Sequence, residues 1–189
     1  MFTTRQIEKL WNLRQYPAVS GMCLTLRPEY AARLLDDLGH SLPAAALAVV
    51  RLEELGQAHL PLVADLLRHV LAGQGADGGW GNVAVTAVCL RALLACGGNG
   101  VAIDCGLAYL AALQRDDGLW PRVPIRRMPS DFLLSAFVLL ELGMFPRFRS
   151  AVRFDQAMTL ATARIPAGED DARPLVKNLR TRHRTLVSN

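Results

Sequence analysis

The sequence has few charges, few aromatic side chains and no long apolar run. Charged residues make up 20% of its 189 positions and aromatic residues 6%. The run of residues 92–103 is charge-free but short, and it is interrupted by Gly97-Gly98-Asn99-Gly100, so no helix that could span a bilayer is predicted. The N-terminal residues carry no apolar segment behind their charges, which predicts no signal peptide. We therefore expect a cytoplasmic protein.

Patterns that hold metals are also scarce. The four cysteines show no Cys-x-x-Cys spacing, which predicts reduced thiols in a packed core. Zinc needs three or four convergent ligands, and the sequence offers no such group. It also has no aspartate-rich segment that would hold magnesium and a diphosphate. We expect no metal and no cofactor.

Basic residues are concentrated near the C-terminal end. After Ala172 the chain has five basic residues and no acidic one, so this segment accounts for the net charge of +4. The remainder is about neutral, and a basic groove for nucleic acid is not predicted. We divide the chain into one repeat domain over residues 1–165, with clear repeats over 42–143, and a polar break with a basic tail over residues 166–189.

What the sequence does contain is helical periodicity. Apolar spacing predicts helices at Thr4–Arg14, Pro28–Leu38, Pro43–Leu55, Leu60–Leu71, Val83–Cys96, Ala102–Leu113, Asp131–Leu142 and Ala151–Ala163. Two of them, Val83–Cys96 and Asp131–Leu142, are apolar almost all round, which is typical of helices buried on both sides. Their alternation with amphipathic helices predicts two layers. No segment alternates as a strand does, so we predict an all-α fold.

A repeated turn sequence organises these helices. Gln74-Gly75-Ala76-Asp77-Gly78-Gly79-Trp80 returns forty residues later as Gln114-Arg115-Asp116-Asp117-Gly118-Leu119-Trp120. A repeat of this length marks stacked helical hairpins. Asp-Gly favours a tight turn, Gln can reach backbone groups at a neighbouring helix end, and Trp can fill the gap between hairpins. We interpret eight repeated residues as structural: Gln74, Asp77, Gly78, Trp80, Gln114, Asp117, Gly118 and Trp120.

This Gln-x-x-Asp-Gly-x-Trp pattern, the QW motif, closely resembles the repeat of squalene and hopene cyclases. The β subunits of protein prenyltransferases share the same (α/α) toroid. The resemblance covers about Leu42 to Gly143 and rests on two copies in one register. It implies (α/α) hairpin repeats of the terpenoid-cyclase toroid type. Because the chain offers fewer hairpins than a full toroid, it implies a partial or small one.

The resemblance also implies an apolar cavity for an isoprenoid-like substrate, but the catalytic signatures match only in part. Class II cyclases protonate the substrate with Asp-x-Asp-Asp-Thr-Ala at the start of an inner helix. The comparable segment begins at Asp131 and has Ser135 in place of Thr, while Leu133 replaces the acid-donating Asp. The resemblance thus implies Asp131 as the catalytic candidate and Ser135 as a substrate-binding one. The adjacent Asp104 and Cys105 depart from the Asp-x-Cys zinc pair of prenyltransferases.

The second unit carries a basic insertion. Counting from the motif Trp to the Gly after the inner helix, it is six residues longer than the first unit. The extra residues bring Arg122, Arg126 and Arg127 close to the helix N-terminus, an arrangement typical of a phosphate or diphosphate site. The alternative is that these arginines are solvated and Ser130 simply caps the helix.

Two further polar features lie within predicted helices. Asp65 and His69, four residues apart on a polar helix face, predict a surface hydrogen bond, with an acid-base pair as the alternative. Glu141 stands in an otherwise apolar helix. We expect it at the solvent-exposed end, with a cavity acid as the alternative.

Three functions stay open. The first is a small squalene/terpene cyclase-like protein that binds or cyclises an isoprenoid-like hydrophobic substrate without a complete acid cluster. Whether such a protein is an enzyme is not decided by the sequence. The second is a non-catalytic helical-repeat protein that acts as an interaction or dimerisation module, because the inner helices of an open arc need cover. The third is peripheral contact with an anionic membrane through the basic tail.

Overall fold

The computed structural model describes residues 42–122, 130–163 and 176–181. Its helices are α1 (Leu42–Glu54), α2 (Pro61–Ala72), α3 (Val83–Ala95), α4 (Gly100–Leu113), α5 (Asp131–Leu142), α6 (Pro146–Ala151), α7 (Phe154–Ala163) and α8 (residues 176–181). The all-α prediction is confirmed, because 71% of the described residues are helical and none lies in a strand. The predicted helices Thr4–Arg14 and Pro28–Leu38 lie outside the described residues.

Polar caps set where the helices begin. The side chain of Asn82 accepts the N–H of Val85 at the start of α3, and Ser130 accepts the N–H of Leu133 at the start of α5. Asn99 caps α4 in the same way, so this helix begins two residues earlier than its apolar pattern predicts. Helix α6 was not predicted, since six residues are too few to show a period.

The helices alternate between two layers. In the inner layer, α1 packs beside α3 and α3 beside α5. In the outer layer, α2 packs on α1, α4 on α3 and α7 on α5, while α6 contacts α4. Each hairpin therefore contributes one helix to each layer, as the alternation of helix types predicts.

The inner helices are covered on almost every side. All residues of α5 after Asp131 are buried, and so are ten residues of α3. The prediction that these two helices are buried all round is confirmed. An apolar surface along α3 and α5 is therefore not left open to solvent.

Helix α8 belongs to the same core. Val176 and Leu179 are buried in one cluster with residues of α1 to α7. The guanidinium of Arg180 donates to the carbonyl of Thr162 from Nε at 3.2 Å and from Nη2 at 2.6 Å. Thr162 lies in the last turn of α7, where carbonyls lack helical partners. This part of the basic segment therefore caps the end of α7.

The motif tryptophans join the two layers. The indole N–H of Trp80 donates to the carbonyl of Val70 at 2.6 Å, and that of Trp120 donates to the carbonyl of Leu110 at 2.8 Å. Each carbonyl lies in the last turns of the preceding outer helix. The ring of Trp120 also stacks on Phe148 with centroids 6.2 Å apart. Both rings are buried, Trp120 completely.

We expect Trp80→Ala and Trp120→Ala each to lower the free energy of unfolding by about 3–5 kcal/mol, because each leaves a large cavity and a carbonyl without its donor. Urea denaturation followed by circular dichroism would measure the loss. Val101→Ala is the control, since Val101 is 73% exposed and should change stability little. A tryptophan variant as stable as this control would contradict the architectural role.

Candidate functional site

The two motif turns share one hydrogen-bond pattern. In each, the Asp carboxylate accepts the N–H two residues ahead at 3.0 Å, as Asp77 does from Gly79 and Asp117 from Leu119. The backbone N–H of the motif Trp donates to a hydroxyl of the following inner helix. Trp80 uses Thr86 at 2.9 Å, and Trp120 uses Ser135 at 2.8 Å. The turn is thereby fixed to the helix that follows it.

The motif glutamines reach the next outer helix. Nε2 of Gln74 donates to the carbonyls of Gly78 and Ala102, both at 2.8 Å. Nε2 of Gln114 donates to the carbonyl of Gly118 at 2.7 Å, and its Oε1 accepts the N–H of Arg153 at 2.8 Å. Ala102 lies in the first turn of α4, and Arg153 precedes α7. Each motif therefore connects the preceding outer helix, the next inner helix and the next outer helix.

The two turns differ in how they fill the space beside the motif Trp. A Cβ added to Gly79 would lie 2.7 Å from the ring of Tyr109. In the second turn the corresponding residue is the buried Leu119. The motif glutamines bind Ala102 and Arg153, which lie at corresponding places 51 residues apart, so Tyr109 corresponds to Leu160 of the last outer helix. Leu160 is 41% exposed, so the two units fill this space with different residues.

The catalytic candidate Asp131 lies at the first position of α5. Its Oδ1 accepts the backbone N–H of Arg122 at 2.7 Å, and its Oδ2 is ion-paired with Arg115. Arg115 also binds the motif carboxylate of Asp117 at 2.6 Å. Both carboxylate oxygens of Asp131 are therefore engaged, and the group closes the linker onto the motif turn. A carboxylate at a helix N-terminus also complements the helix dipole.

The substrate-binding candidate Ser135 is completely buried. Its hydroxyl accepts the N–H of Trp120 and donates to the carbonyl of Asp131 at 2.7 Å. These two bonds account for its burial without a ligand. Thr86 makes the corresponding bond in the first unit, so a hydroxyl at this place is a feature of the repeat.

The basic insertion is described only at its start. Helix α3 begins three residues after Trp80, whereas α5 begins eleven residues after Trp120. The linker before α5 is thus eight residues longer than the one before α3, and not six. The count from Trp to Gly gives six because α3 is one residue longer than α5, and because Cys96 separates α3 from Gly97 whereas Gly143 directly follows α5. Arg122 is exposed, and Arg126 and Arg127 lie outside the described residues. The diphosphate site stays a prediction.

Two charged residues of the inner layer are buried. Glu141 is 1% exposed, so the expectation that it lies at a solvent-exposed end is wrong. Arg91, the one charged residue of α3, is 6% exposed. Periodicity could not locate either, because a helix that is apolar all round has no polar face on which to place them.

The guanidinium of Arg91 has weak partners. Its Nη1 contacts the sulfur of Met144, its centre lies 5.1 Å above the ring of Phe145, and its Nη2 is 3.9 Å from Glu54. Its Nε has no hydrogen-bond partner among the described residues. A buried donor left without an acceptor costs about 1–3 kcal/mol. In the sequence, the one indication that Arg91 is unusual is that it is the single charged residue of α3.

The thiols differ in accessibility. Burial raises the pKa of Cys89 to about 12, so this thiol stays neutral and unreactive. Burial also raises the pKa of Cys96, helped by Glu53 and opposed by Arg91. Cys105 is exposed on α4. The expected core position is therefore correct for Cys89 and wrong for Cys105, while Cys96 is half-buried and Cys23 lies outside the described residues.

The predicted pair of Asp65 and His69 is not formed. Asp65 is ion-paired with Arg68, one residue nearer in sequence. Nε2 of His69 is buried and has no hydrogen-bond partner among the described residues. The prediction is wrong because an arginine three residues away is a better partner for the carboxylate.

We expect Gly78→Ala to be more destabilising than Gly81→Ala. Both glycines have φ near +85° (84° and 89°), where a Cβ costs about 1–2 kcal/mol. At Gly78 the added Cβ would also lie 2.5 Å from the carbonyl oxygen of Cys105, while at Gly81 nothing lies within 4 Å. Chemical denaturation of both variants would test the close approach of turn and helix. Equal losses would contradict it.

Comparisons with other proteins do not indicate a function. Comparison with protein-family models, with curated proteins and with solved structures found no match. Over residues 42–122, 130–163 and 176–181, no three His, Cys, Asp or Glu side chains are grouped as metal ligands. Within the same ranges, every helix is too short or too polar to cross a membrane.

Proposed function

We propose that this chain is a partial (α/α) toroid of the terpenoid-cyclase type that works as a non-catalytic interaction module. The toroid assignment is supported by the identical bonding of the two motif turns to three helices each. The non-catalytic assignment is supported by the N-terminus of α5. Asp131 and Ser135, which correspond to an acid and a hydroxyl of cyclases, both bind elements of the protein itself.

The observation that carries the interaction function is the outer face of α4. Its exposed residues are Gly100, Val101, Asp104, Cys105, Ala108, Ala112 and Leu113. This face holds one charge, and Asp104 is neutralised by Arg147 at 2.6 Å. The exposed positions of α7 instead include Asp155, Gln156 and Thr159. An apolar face beside a polar one marks a surface for a partner.

The partner that fits this face best is a second copy of the chain. A neutral apolar surface does not select a charged partner. Its small residues recur at Cys105, Ala108 and Ala112, so two helices can approach closely along them. Two copies related by a two-fold axis would present the same face to each other, and such an interface is self-complementary. The function is then homodimerisation through α4.

We expect the wild-type protein to sediment as a dimer and Ala108→Arg to sediment as a monomer with unchanged helicity. The arginine places a charge in the centre of the α4 face without removing a core contact, because Ala108 is exposed. Analytical ultracentrifugation would measure the mass. Ala64→Arg is the matched control, since Ala64 is exposed on the outer helix α2 and its variant should remain dimeric. A monomeric wild type, or a dimeric Ala108→Arg, would rule out this interface.

A second candidate is binding of an isoprenoid diphosphate. The feature that favours it is the linker before α5, which is eight residues longer than its counterpart and rich in arginine. An anion could be held there by Arg122, Arg126 and Arg127 near the N-terminus of α5. The isoprenoid tail of the ligand would then need a cavity bordered by the inner helices.

If the second candidate is correct, Arg126→Ala with Arg127→Ala should abolish binding of farnesyl diphosphate and leave the melting temperature unchanged. The reason is that the double variant removes the two charged donors proposed to hold the diphosphate, and leaves the core unchanged. Calorimetric titration would measure binding, with Arg68→Ala as a control for loss of an exposed arginine. Binding that persists in the double variant would reject this site.

A further inference from the structure

The end of the inner layer opposite the motif turns contains a buried cation with unused donors. Arg91 lies in the last half of α3, and its guanidinium is surrounded by Glu54 at the end of α1 and by Met144 and Phe145 after α5. These contacts place it where the ends of α1, α3 and α5 meet. The site is therefore separate from the motif turns and from the α4 face.

Most N–H groups of the Arg91 guanidinium have no hydrogen-bond acceptor among the described residues. An arginine side chain carries five N–H groups, keeps its charge at all ordinary pH values and accepts no hydrogen bond. The one hydrogen bond of Arg91 within the described ranges goes to the thioether of Met144, a weak acceptor. Its Nε has no partner there. A side chain that is 6% exposed would normally have oxygen acceptors on most of these groups.

The neighbouring carboxylates do not supply these acceptors. The nearest oxygen of Glu54 is 3.9 Å from Nη2, beyond hydrogen-bonding distance. Glu54 is also bound to Arg51 at 3.3 Å. Glu53 is close enough to act on the thiol of Cys96, but it makes no ion pair with Arg91. Within the described residues, no oxygen lies within hydrogen-bonding distance of the Arg91 guanidinium.

We propose that Arg91 binds the oxyanion group of a small ligand, a carboxylate or a phosphate, at the junction of α1, α3 and the segment after α5. A planar guanidinium matches either group through two parallel N–H bonds. The contacts with Phe145 and Met144 give the site an apolar wall, which suits a ligand whose remainder is apolar. Glu54 repels the anion, so its removal strengthens binding.

The test is calorimetric titration of the full chain with inorganic phosphate, decyl phosphate and decanoate at constant ionic strength. We expect at least one probe to bind the wild type, and Arg91→Lys to weaken it about tenfold, because lysine keeps the charge and loses the fork. Arg68→Lys, the same change at an exposed position, should bind as the wild type does. Binding of inorganic phosphate would identify a free anion, and binding of the alkyl probes alone would identify the head group of an amphiphile.

Glu54→Gln provides a second measurement that does not depend on the folding of an Arg91 variant. We expect it to raise the affinity about fivefold, since a like charge about 4 Å away is removed. Absence of binding by all three probes would overturn the proposal. So would an affinity unaffected by both Arg91→Lys and Glu54→Gln, because the probes would then bind elsewhere.

Discussion

The two N–H groups of each motif tryptophan hold this structure together. The indole N–H binds the end of the preceding outer helix, and the backbone N–H binds a hydroxyl inside the next inner helix. Both bonds are buried, so breaking either one would leave an N–H donor without an acceptor and without water. They fix the position of two helices relative to one residue, and the motif Gln adds the next outer helix. That hydroxyl fixes the register of each inner helix, whose remaining buried side chains are mainly apolar.

This constraint explains what the sequence could and could not predict. The repeated Gln, Asp, Gly and Trp positions predicted the stacking of hairpins, and apolar periodicity predicted which helices are buried all round. The polar groups inside those helices could not be located by periodicity. The resemblance implies Ser135 as a substrate-binding residue, and nothing in the sequence indicates that its hydroxyl binds the backbone of Trp120. Arg91 and Glu141 were misjudged or passed over because a helix without a polar face gives no information on where a charge lies.

The polar side chains at the N-terminal end of α5 are bonded to the motif turn and to the linker before the helix. In the second unit Arg115 bridges Asp117 of the turn and Asp131 of the helix, and the backbone of Arg122 binds the same carboxylate. These groups are partly exposed, so their pairing contributes modestly to stability. Its effect is mainly geometric, since it fastens a linker eight residues longer than its counterpart to the motif turn. Both oxygens of the Asp131 carboxylate are thereby bonded within the chain itself.

Function in a repeat protein should be sought where the units differ, because the features they share are explained by stacking. The shared features here are the turn bonds, the caps and the buried hydroxyls. The differences are the longer linker before α5, the apolar outer face of α4 and the single arginine of α3. Of these, the α4 face and Arg91 lie within the described residues, and each has a property that stacking does not require. Polar residues would cover the outer surface of α4 as they do that of α7, and an alanine would fit α3 without the cost of burying a charge. Both features therefore support binding, of a second chain on the α4 face and of an anion at Arg91.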